Sequence, residues 1–335
     1  MELSFLSGGI LGLFILITTP WVILSLVSTG ADVGVGFVDE WLLKKLNKKT
    51  KGQNNVDAPG RLILISGFFG LVISIATVIF LLGINQISLL NIPKIAALNA
   101  FGAGMLEVLW LIPYFYSLQR GGAVNVTPLF QTIPIFSLIF GLLLFAEIPS
   151  LIHIFGTVII ILGAGFLNFV PENKKLDTHT LLLMFCASAV ISLGYFLFKD
   201  STISGNFLAS LFWNGLGMTF LSSVIWTTWP PYRKQFQDFV SQLDFKVLGI
   251  QFLNESLYAL SAITNQLAIV IGPSIMAVSS FNAFHPIFTL MFGFFLARLS
   301  SSSQRRQLSG LPLSLKIIGV LLISSGALLI VTQGN

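Results

Sequence analysis

Long apolar runs recur almost without pause along the chain, and they limit its possible folds more than any other feature. A run of about 20 residues spans the roughly 30 Å hydrocarbon layer of a bilayer when it forms a helix. Because these runs are continuously apolar and do not alternate with polar residues, they favour helices over a β-barrel. We predict ten membrane helices, at residues 5–28, 61–83, 94–116, 122–145, 149–170, 180–198, 207–229, 247–270, 272–296 and 313–333.

The composition excludes a soluble protein. Apolar residues make up 55% of the 335 residues and charged residues only 9%, which is too little polar surface for a chain that folds in water. The predicted fold class is therefore an all-α polytopic membrane protein. We expect an integral protein of the inner or plasma membrane, with an organelle membrane as the alternative.

The positive charges lie almost entirely on one side of the predicted helices. The loops after odd-numbered helices, with the adjoining helix ends, hold 16 of the 18 Lys and Arg residues, and only Lys94 and Lys199 fall on the other side. The positive-inside rule places these loops in the cytoplasm and both termini outside. Since the basic residues are spread over five short loops, nucleic acid is not expected as a partner.

The segment GFVDEWLLKKLNKKTKGQNN, residues 36–55, follows the first predicted helix and carries five of these lysines. One interpretation is a solvated loop whose charges set the topology. The other is a helix on the membrane surface, with the lysines toward anionic headgroups and an apolar face toward the lipid that comprises Phe37, Trp41, Leu42 and Leu46.

Two proline-containing apolar runs share one pattern. TPLFQTIPIFSLIFGLLLFAE begins at Thr127, and NAFHPIFTLMFGFFLAR begins at Asn282. Of the eleven positions from Pro134 to Leu144, seven are identical 152 residues later. The next apolar runs also correspond, since IFGTVIIILGAGFL and IIGVLLISSGALLI both contain Gly-x6-Gly-Ala. The chain therefore carries an internal repeat.

The repeat divides the chain into two halves, predicted as residues 1–171 and 172–335. Each half holds five predicted helices, and because five is odd, the halves enter the membrane from opposite sides. Inverted repeats of this kind are typical of secondary transporters with a substrate site near the midplane. Pro134 and Pro286 each remove a helical hydrogen bond, so we predict breaks that face a shared cavity and serve in gating.

These residues resemble a known family. GGAVNVTPLFQTIPIFSLIFGLLLFAEIPSLIHIFGTVIIILGAGFL, residues 121–167, resembles the end of an EamA-type repeat of the drug/metabolite transporter superfamily, and residues 272–331 resemble its second copy. The resemblance implies a ten-helix transporter whose central cavity is lined by helices 3, 4, 8 and 9, with 1 and 6. It also implies cytosolic termini, whereas the charge distribution places them outside.

Three titratable side chains lie deep in the predicted helices: Glu107, Glu255 and His285. An ionised carboxylate at this depth costs about 2.5–3.5 kcal/mol on insertion scales, so it must be paired, protonated or hydrated. Counted from the basic helix ends, the two glutamates lie roughly 12–14 Å deep and the histidine about 16 Å. We predict that the three form one layer that binds substrate or exchanges protons.

Other polar and aromatic residues share helix faces with these three. We predict that they contribute to the same site, with interhelical hydrogen bonding as the alternative for the polar ones. They are Trp110, Tyr114, Tyr258, Gln131, Asn282 and Gln266.

The predicted function is a secondary transporter that moves a small organic solute by alternating access, with or without proton coupling. Metabolite-like, drug-like, amino-acid-like and cationic solutes all remain open. The alternatives are a passive facilitator or channel, and a non-transporting scaffold or receptor. An enzyme is not expected, because HExxH, GxSxG and close carboxylate pairs are missing from the sequence, and no cofactor or metal is predicted. The expected partners are the solute, protons and the bilayer, in a monomer or homodimer.

Overall fold

A computed structural model describes residues 19–49, 59–168, 177–241, 245–289, 291–292 and 313–332. Within these ranges the chain is helical and contains no strand. The first half contains α1 (Pro20–Lys49), α2 (Pro59–Gly83), α3 (Lys94–Gly121), α4 (Ala123–Val126), α5 (Ile133–Leu144) and α6 (Leu151–Asn168). Short 3-10 helices at Ile87–Leu90 and Thr127–Thr132 precede α3 and α5.

The second half contains helices of similar length. They are α7 (Thr178–Ser204), α8 (Phe207–Thr228), α9 (Pro230–Ser241), α10 (Phe245–Ile271), α11 (Ile275–Ser280), α12 (residues 285–289) and α13 (Leu313–Thr332). A 3-10 helix, Phe281–Phe284, joins α11 to α12.

The first helix differs from its prediction. The run 5–28 was expected to be followed by a loop or a surface segment at 36–55, but α1 continues without interruption from Pro20 to Lys49. Residues 1–18 and 50–58 lie outside the described part of the chain. The helix continues past the apolar run because its buried face continues: Leu42 and Leu43 are almost fully buried. Trp41 and Lys44 are exposed on the opposite side.

The protein contains enough long apolar helices to be a polytopic membrane protein. Among the described residues, α1 to Lys45 and all of α2, α3, α7 and α8 are long and apolar enough to cross a bilayer. Three shorter apolar helices span Leu129–Leu144, Leu151–Gly165 and Ile317–Thr332. The 27-residue α10 is not among the five, since Gln251, Asn254 and Glu255 lower its hydropathy. The count of ten therefore stays a prediction.

The described chain packs as two compact units. Unit A takes its residues from Met1–Gly34, Thr127–Asp177 and Leu260–Asn335, and unit B from Val35–Val126 and Thr178–Ala259. Each unit combines segments of both predicted halves, so the compact units are not the sequence repeats. The division into residues 1–171 and 172–335 remains a prediction about the repeats.

Glycines bring the helices of unit B into backbone contact. A Cβ added at Gly70 would lie 2.5 Å from the carbonyl oxygen of Gly215, and one added at Gly215 would lie 2.4 Å from that of Gly70. One added at Gly104 would lie 1.9 Å from the carbonyl oxygen of Asn214. Small residues permit this approach between membrane helices, where close packing supplies much of the association energy.

Unit A uses the glycines of the repeated Gly-x6-Gly-Ala pattern in the same way. A Cβ added at Gly156 would lie 3.0 Å from the carbonyl oxygen of Gly326, and one added at Gly163 would lie 2.8 Å from that of Gly319. In both contacts, therefore, the first glycine of one copy of the pattern packs against the second glycine of the other copy. The helices α6 and α13 cross through corresponding residues.

Both proline-containing runs are broken at corresponding positions in unit A. The 3-10 helix Thr127–Thr132 ends immediately before α5, and Pro134 is the second residue of α5. The 3-10 helix Phe281–Phe284 ends immediately before α12, where Pro286 is again the second residue. Each break thus lies just upstream of its proline, where the missing N–H costs no helical hydrogen bond.

Candidate functional site

Helix α3 places an acid and two aromatic rings on one buried face. Trp110 Nε1–H donates a hydrogen bond to Glu107 Oε2 at 2.9 Å, and the ring centroids of Trp110 and Tyr114 lie 5.3 Å apart. The spacing of three and four residues puts all three side chains on the same side of the helix. Each is at most 9% exposed.

Asp39, in the part of α1 that belongs to unit B, joins this face to α10. Its Oδ2 accepts a hydrogen bond from the Tyr114 hydroxyl at 3.2 Å, and its Oδ1 accepts one from Asn254 Nδ2 at 2.8 Å. The carboxyl group is 3% exposed. Sequence reasoning missed this residue, because the first membrane helix was expected to end at residue 28.

Glu255 is the second buried acid on the α10 side. Its Oε1 accepts hydrogen bonds from Ser66 Oγ at 2.8 Å and from Gln251 Nε2 at 2.6 Å. Asp39 binds Asn254, the residue before Glu255, so the two carboxyl groups belong to the same cluster. Tyr258, one turn further along, faces Trp110 with ring centroids 6.4 Å apart. Four segments of unit B, from α1, α2, α3 and α10, therefore surround one acidic and aromatic cluster.

Three oxygen atoms of this cluster are acceptors without a donor. Among the described residues, Gln251 Oε1, Asn254 Oδ1 and Glu255 Oε2 are buried and have no hydrogen-bond partner. The amide orientations follow from chemistry, since only the NH₂ side of an amide can donate to a carboxylate. Because both amide nitrogens face carboxylates, both amide oxygens are left for another donor.

The remaining predicted site residues lie in unit A. His285 Nδ1–H donates to the carbonyl oxygen of Asn282 at 2.6 Å, and the His285 and Phe130 rings lie 6.0 Å apart by centroid. The backbone N–H of His285 donates to the same carbonyl oxygen. The imidazole ring is therefore a second donor to this carbonyl, and its Nε2 is left as a buried acceptor without a described partner.

Gln131 and Gln266 complete the predicted set. Both are buried, and Gln131 Nε2 and Gln266 Oε1 have no hydrogen-bond partner among the described residues. The structure therefore groups Glu107, Trp110, Tyr114, Glu255 and Tyr258 within unit B. The other predicted residues, Gln131, Asn282, His285, Gln266, Pro134 and Pro286, belong to unit A. A single layer formed by both sets remains a prediction.

Comparison with known proteins identifies the first part of the chain. The EamA-like transporter family matches residues 51–169. This match confirms the resemblance to the drug/metabolite transporter superfamily and indicates a membrane transporter of that type. Members of the EamA family are transporters and not enzymes.

Solved structures add evidence about the fold. One of 23 matching chains comes from a crystal structure that is 16% identical, with a TM-score of 0.55. The alignment covers 89% of this chain and 95% of that chain. At this identity the similarity concerns the fold alone. No curated protein matches the chain.

The chain also has a polar group in unit A that the sequence analysis did not single out. Ser261 Oγ–H donates to Asp32 Oδ1, and the hydroxyls of Ser261 and Ser28 lie 2.9 Å apart. Asp32 and Asp39 both lie beyond residue 28, where the first apolar run ends. The signal that could have found them is the apolar pattern continuing through Val33, Val35 and Leu42.

A groove of about 630 Å³ lies elsewhere in unit B. Its lining is mostly apolar, with Phe68, Trp226 and Phe236 among the contributing residues. None of Asp39, Glu107 and Glu255 lines it. Because none of the three buried acids faces this groove, we do not assign it to the candidate site.

Proposed function

We propose that this chain is a secondary transporter that moves a small organic solute across the membrane by alternating access. The observation that carries the proposal is the buried cluster of unit B, where Asp39, Glu107 and Glu255 lie among aromatic and amide side chains. Buried acids are costly within membrane helices and usually mark a substrate or ion pathway. The match to the EamA-like transporter family supports the same class of function.

The cluster is better suited to binding than to helix association alone. Hydrogen bonding between membrane helices needs only a donor and an acceptor, and one such pair contributes about 0.6–2 kcal/mol. Here acceptors outnumber donors, because three buried oxygens have no described donor and the Tyr258 hydroxyl supplies one O–H only. A packing role gives no reason for this imbalance, whereas a solute with hydrogen-bond donors would correct it.

Two features of unit A support the inverted-repeat form of the proposal. The breaks before Pro134 and Pro286 occupy corresponding positions of the two copies. The glycines of α6 and α13 also pack in a symmetric way, with Gly156 against Gly326 and Gly163 against Gly319. Each contact joins the first glycine of one copy to the second glycine of the other, as a local two-fold axis requires. Broken helices and inverted repeats are the usual elements of alternating access.

We assign roles to the predicted residues within this proposal. Glu107 and Glu255 meet a polar group of the solute or exchange protons with it. Trp110, Tyr114 and Tyr258 form an aromatic wall. Unit A is assigned its own role, with polar side chains and the two helix breaks inside that unit; these residues are Gln131, Gln266, Asn282, His285, Pro134 and Pro286.

Counterflow in liposomes tests the proposal. Purified protein is reconstituted with one unlabelled metabolite inside and the labelled compound outside, across a panel of amines, amino acids, sugars and carboxylates. We expect saturable, transient accumulation of at least one compound. We also expect a rate reduced by about tenfold or more in Glu107→Gln, which loses a buried carboxyl group.

Asp238→Asn is the matched control, because this carboxylate is exposed on α9. Flux that rises linearly with concentration and shows no counterflow would support a channel instead. A protein that moves no compound of the panel, in both wild type and Asp238→Asn, would contradict the transporter proposal and favour a scaffold or receptor.

A further inference from the structure

We propose that the solute is an aromatic primary amine, bound with its ammonium group among Asp39, Glu255 and the amide oxygens of Gln251 and Asn254. The inference names the substrate class of the site proposed above and rests on that proposal. It follows from three properties of the cluster: its count of donors and acceptors, its charge, and its aromatic wall.

The hydrogen-bonding groups of the cluster include more acceptors than donors. The acceptors Gln251 Oε1, Asn254 Oδ1 and Glu255 Oε2 have no described donor, and their residues are 2%, 3% and 2% exposed. They lie at positions i, i+3 and i+4 of α10, on one face of the helix. A primary ammonium group carries three N–H donors and no acceptor, so it supplies what these oxygens need.

The charge of the cluster favours the same group. The carboxyl groups of Asp39 and Glu255 belong to one buried cluster, and Glu255 forms no ion pair with any residue in the described part of the chain. When both carboxyl groups are ionised they repel each other, so a buried cation between them is favourable, and a charged hydrogen bond to each would be stronger than a neutral one. An anionic solute would instead add a third negative charge.

Protonation of Glu255 is the simplest alternative to a bound ammonium group, but it does not provide donors for all of the buried oxygens. A proton on Glu255 Oε2 provides a single donor, which can satisfy one of the two amide oxygens. The other amide oxygen would remain buried without a donor, at a cost comparable to a lost hydrogen bond. The arrangement therefore fits a group with several donors better than it fits a proton.

The aromatic wall distinguishes an organic cation from an inorganic one. Trp110 lies beside both Tyr114 and Tyr258, with centroid distances of 5.3 and 6.4 Å. Aromatic faces attract cations and stack with other rings, whereas a bare sodium ion needs oxygen ligands only. An amine that carries a ring would use the acidic and the aromatic parts of the cluster together.

A series of matched compounds tests this inference on the full-length protein in detergent. The probes are 2-phenylethylammonium, 2-phenylethanol, N,N,N-trimethyl-2-phenylethylammonium and 3-phenylpropionate, and binding is measured by calorimetry and thermal shift. The alcohol lacks the charge, the trimethyl compound lacks the N–H donors, and the carboxylate reverses the charge. We expect 2-phenylethylammonium to bind at least about 30-fold more tightly than each of the others.

The variant Glu255→Gln is expected to weaken binding of 2-phenylethylammonium by about 30-fold or more, whereas Asp238→Asn leaves it unchanged. Equal binding of the amine and the alcohol would overturn the inference, as would stabilisation by sodium chloride alone that matches the amine. The series on the wild-type protein decides the question even if Glu255→Gln does not fold.

The two proposals fail in different ways. Binding of 2-phenylethylammonium without counterflow of any compound would keep the ammonium site and overturn the transporter. Counterflow of a neutral or anionic solute, with no binding of the amine, would keep the transporter and overturn the ammonium site.

Discussion

Replacing Asp39 by asparagine is expected to reduce counterflow of the transported solute by about 30-fold or more. The carboxylate accepts hydrogen bonds from Tyr114 on α3 and from Asn254 on α10. An asparagine has one acceptor oxygen where the aspartate has two, so it can keep only one of these bonds without reorienting a neighbour. The substitution also removes a negative charge that helps to bind a cationic group.

Two further variants separate charge from general disruption. Asp39→Glu keeps the charge and is expected to retain more transport than Asp39→Asn. Asp238→Asn makes the same chemical change at an exposed position of α9 and is expected to leave transport unchanged. Protein yield and thermal unfolding are measured for each. Wild-type counterflow by a well-folded Asp39→Asn protein would show that the cluster does not take part in transport.

Gly104→Ala is expected to destabilise the protein by about 3 kcal/mol or more. The added Cβ would lie 1.9 Å from the carbonyl oxygen of Asn214 and 2.7 Å from its carbonyl carbon. Both are backbone atoms, so no side-chain rotation can relieve the clash, and α3 and α8 must move apart. Unfolding in mixed detergent micelles, followed by circular dichroism, measures the loss.

Gly102→Ala provides the comparison two residues earlier in α3. An added Cβ there would lie 3.5 Å from a side-chain carbon of Leu197, which is an ordinary contact. Because alanine favours helix by about 1 kcal/mol over glycine, this variant is expected to be neutral or slightly more stable. If the two variants unfolded alike, the close approach of α3 and α8 would be wrong.

The sequence predicted most helix positions well, because an apolar run in a membrane protein must end near the point where the chain leaves the lipid. The apolar run 207–229 corresponds to α8, Phe207–Thr228, and the run 61–83 corresponds to α2, Pro59–Gly83. The prediction was wrong where a helix carries polar residues on a buried face. Asp39 made the later part of α1 resemble a loop, although this carboxylate is almost fully buried by its neighbours.

The candidate site was predictable only within single helices. Glu107, Trp110 and Tyr114 could be grouped because helical spacing alone puts them on one face. Their meeting with Asp39 depends on which helices are neighbours, and residue spacing within a helix contains no information about that. The hydrogen bond from the His285 ring to the Asn282 carbonyl likewise depends on a side-chain orientation that no pattern in the sequence specifies.

The crossing of α6 with α13 has a consequence for how the protein is made. The ribosome completes α6 long before it begins α13, and helices enter the membrane in the order of their synthesis. Until α13 is inserted, the surface of α6 around Gly156 and Gly163 faces lipid or a temporary neighbour, because its final partner has not yet been synthesised. Assembly of unit A is therefore a late event in biogenesis, and the nascent protein passes through a stage in which this surface is open to pairing with other helices in the bilayer.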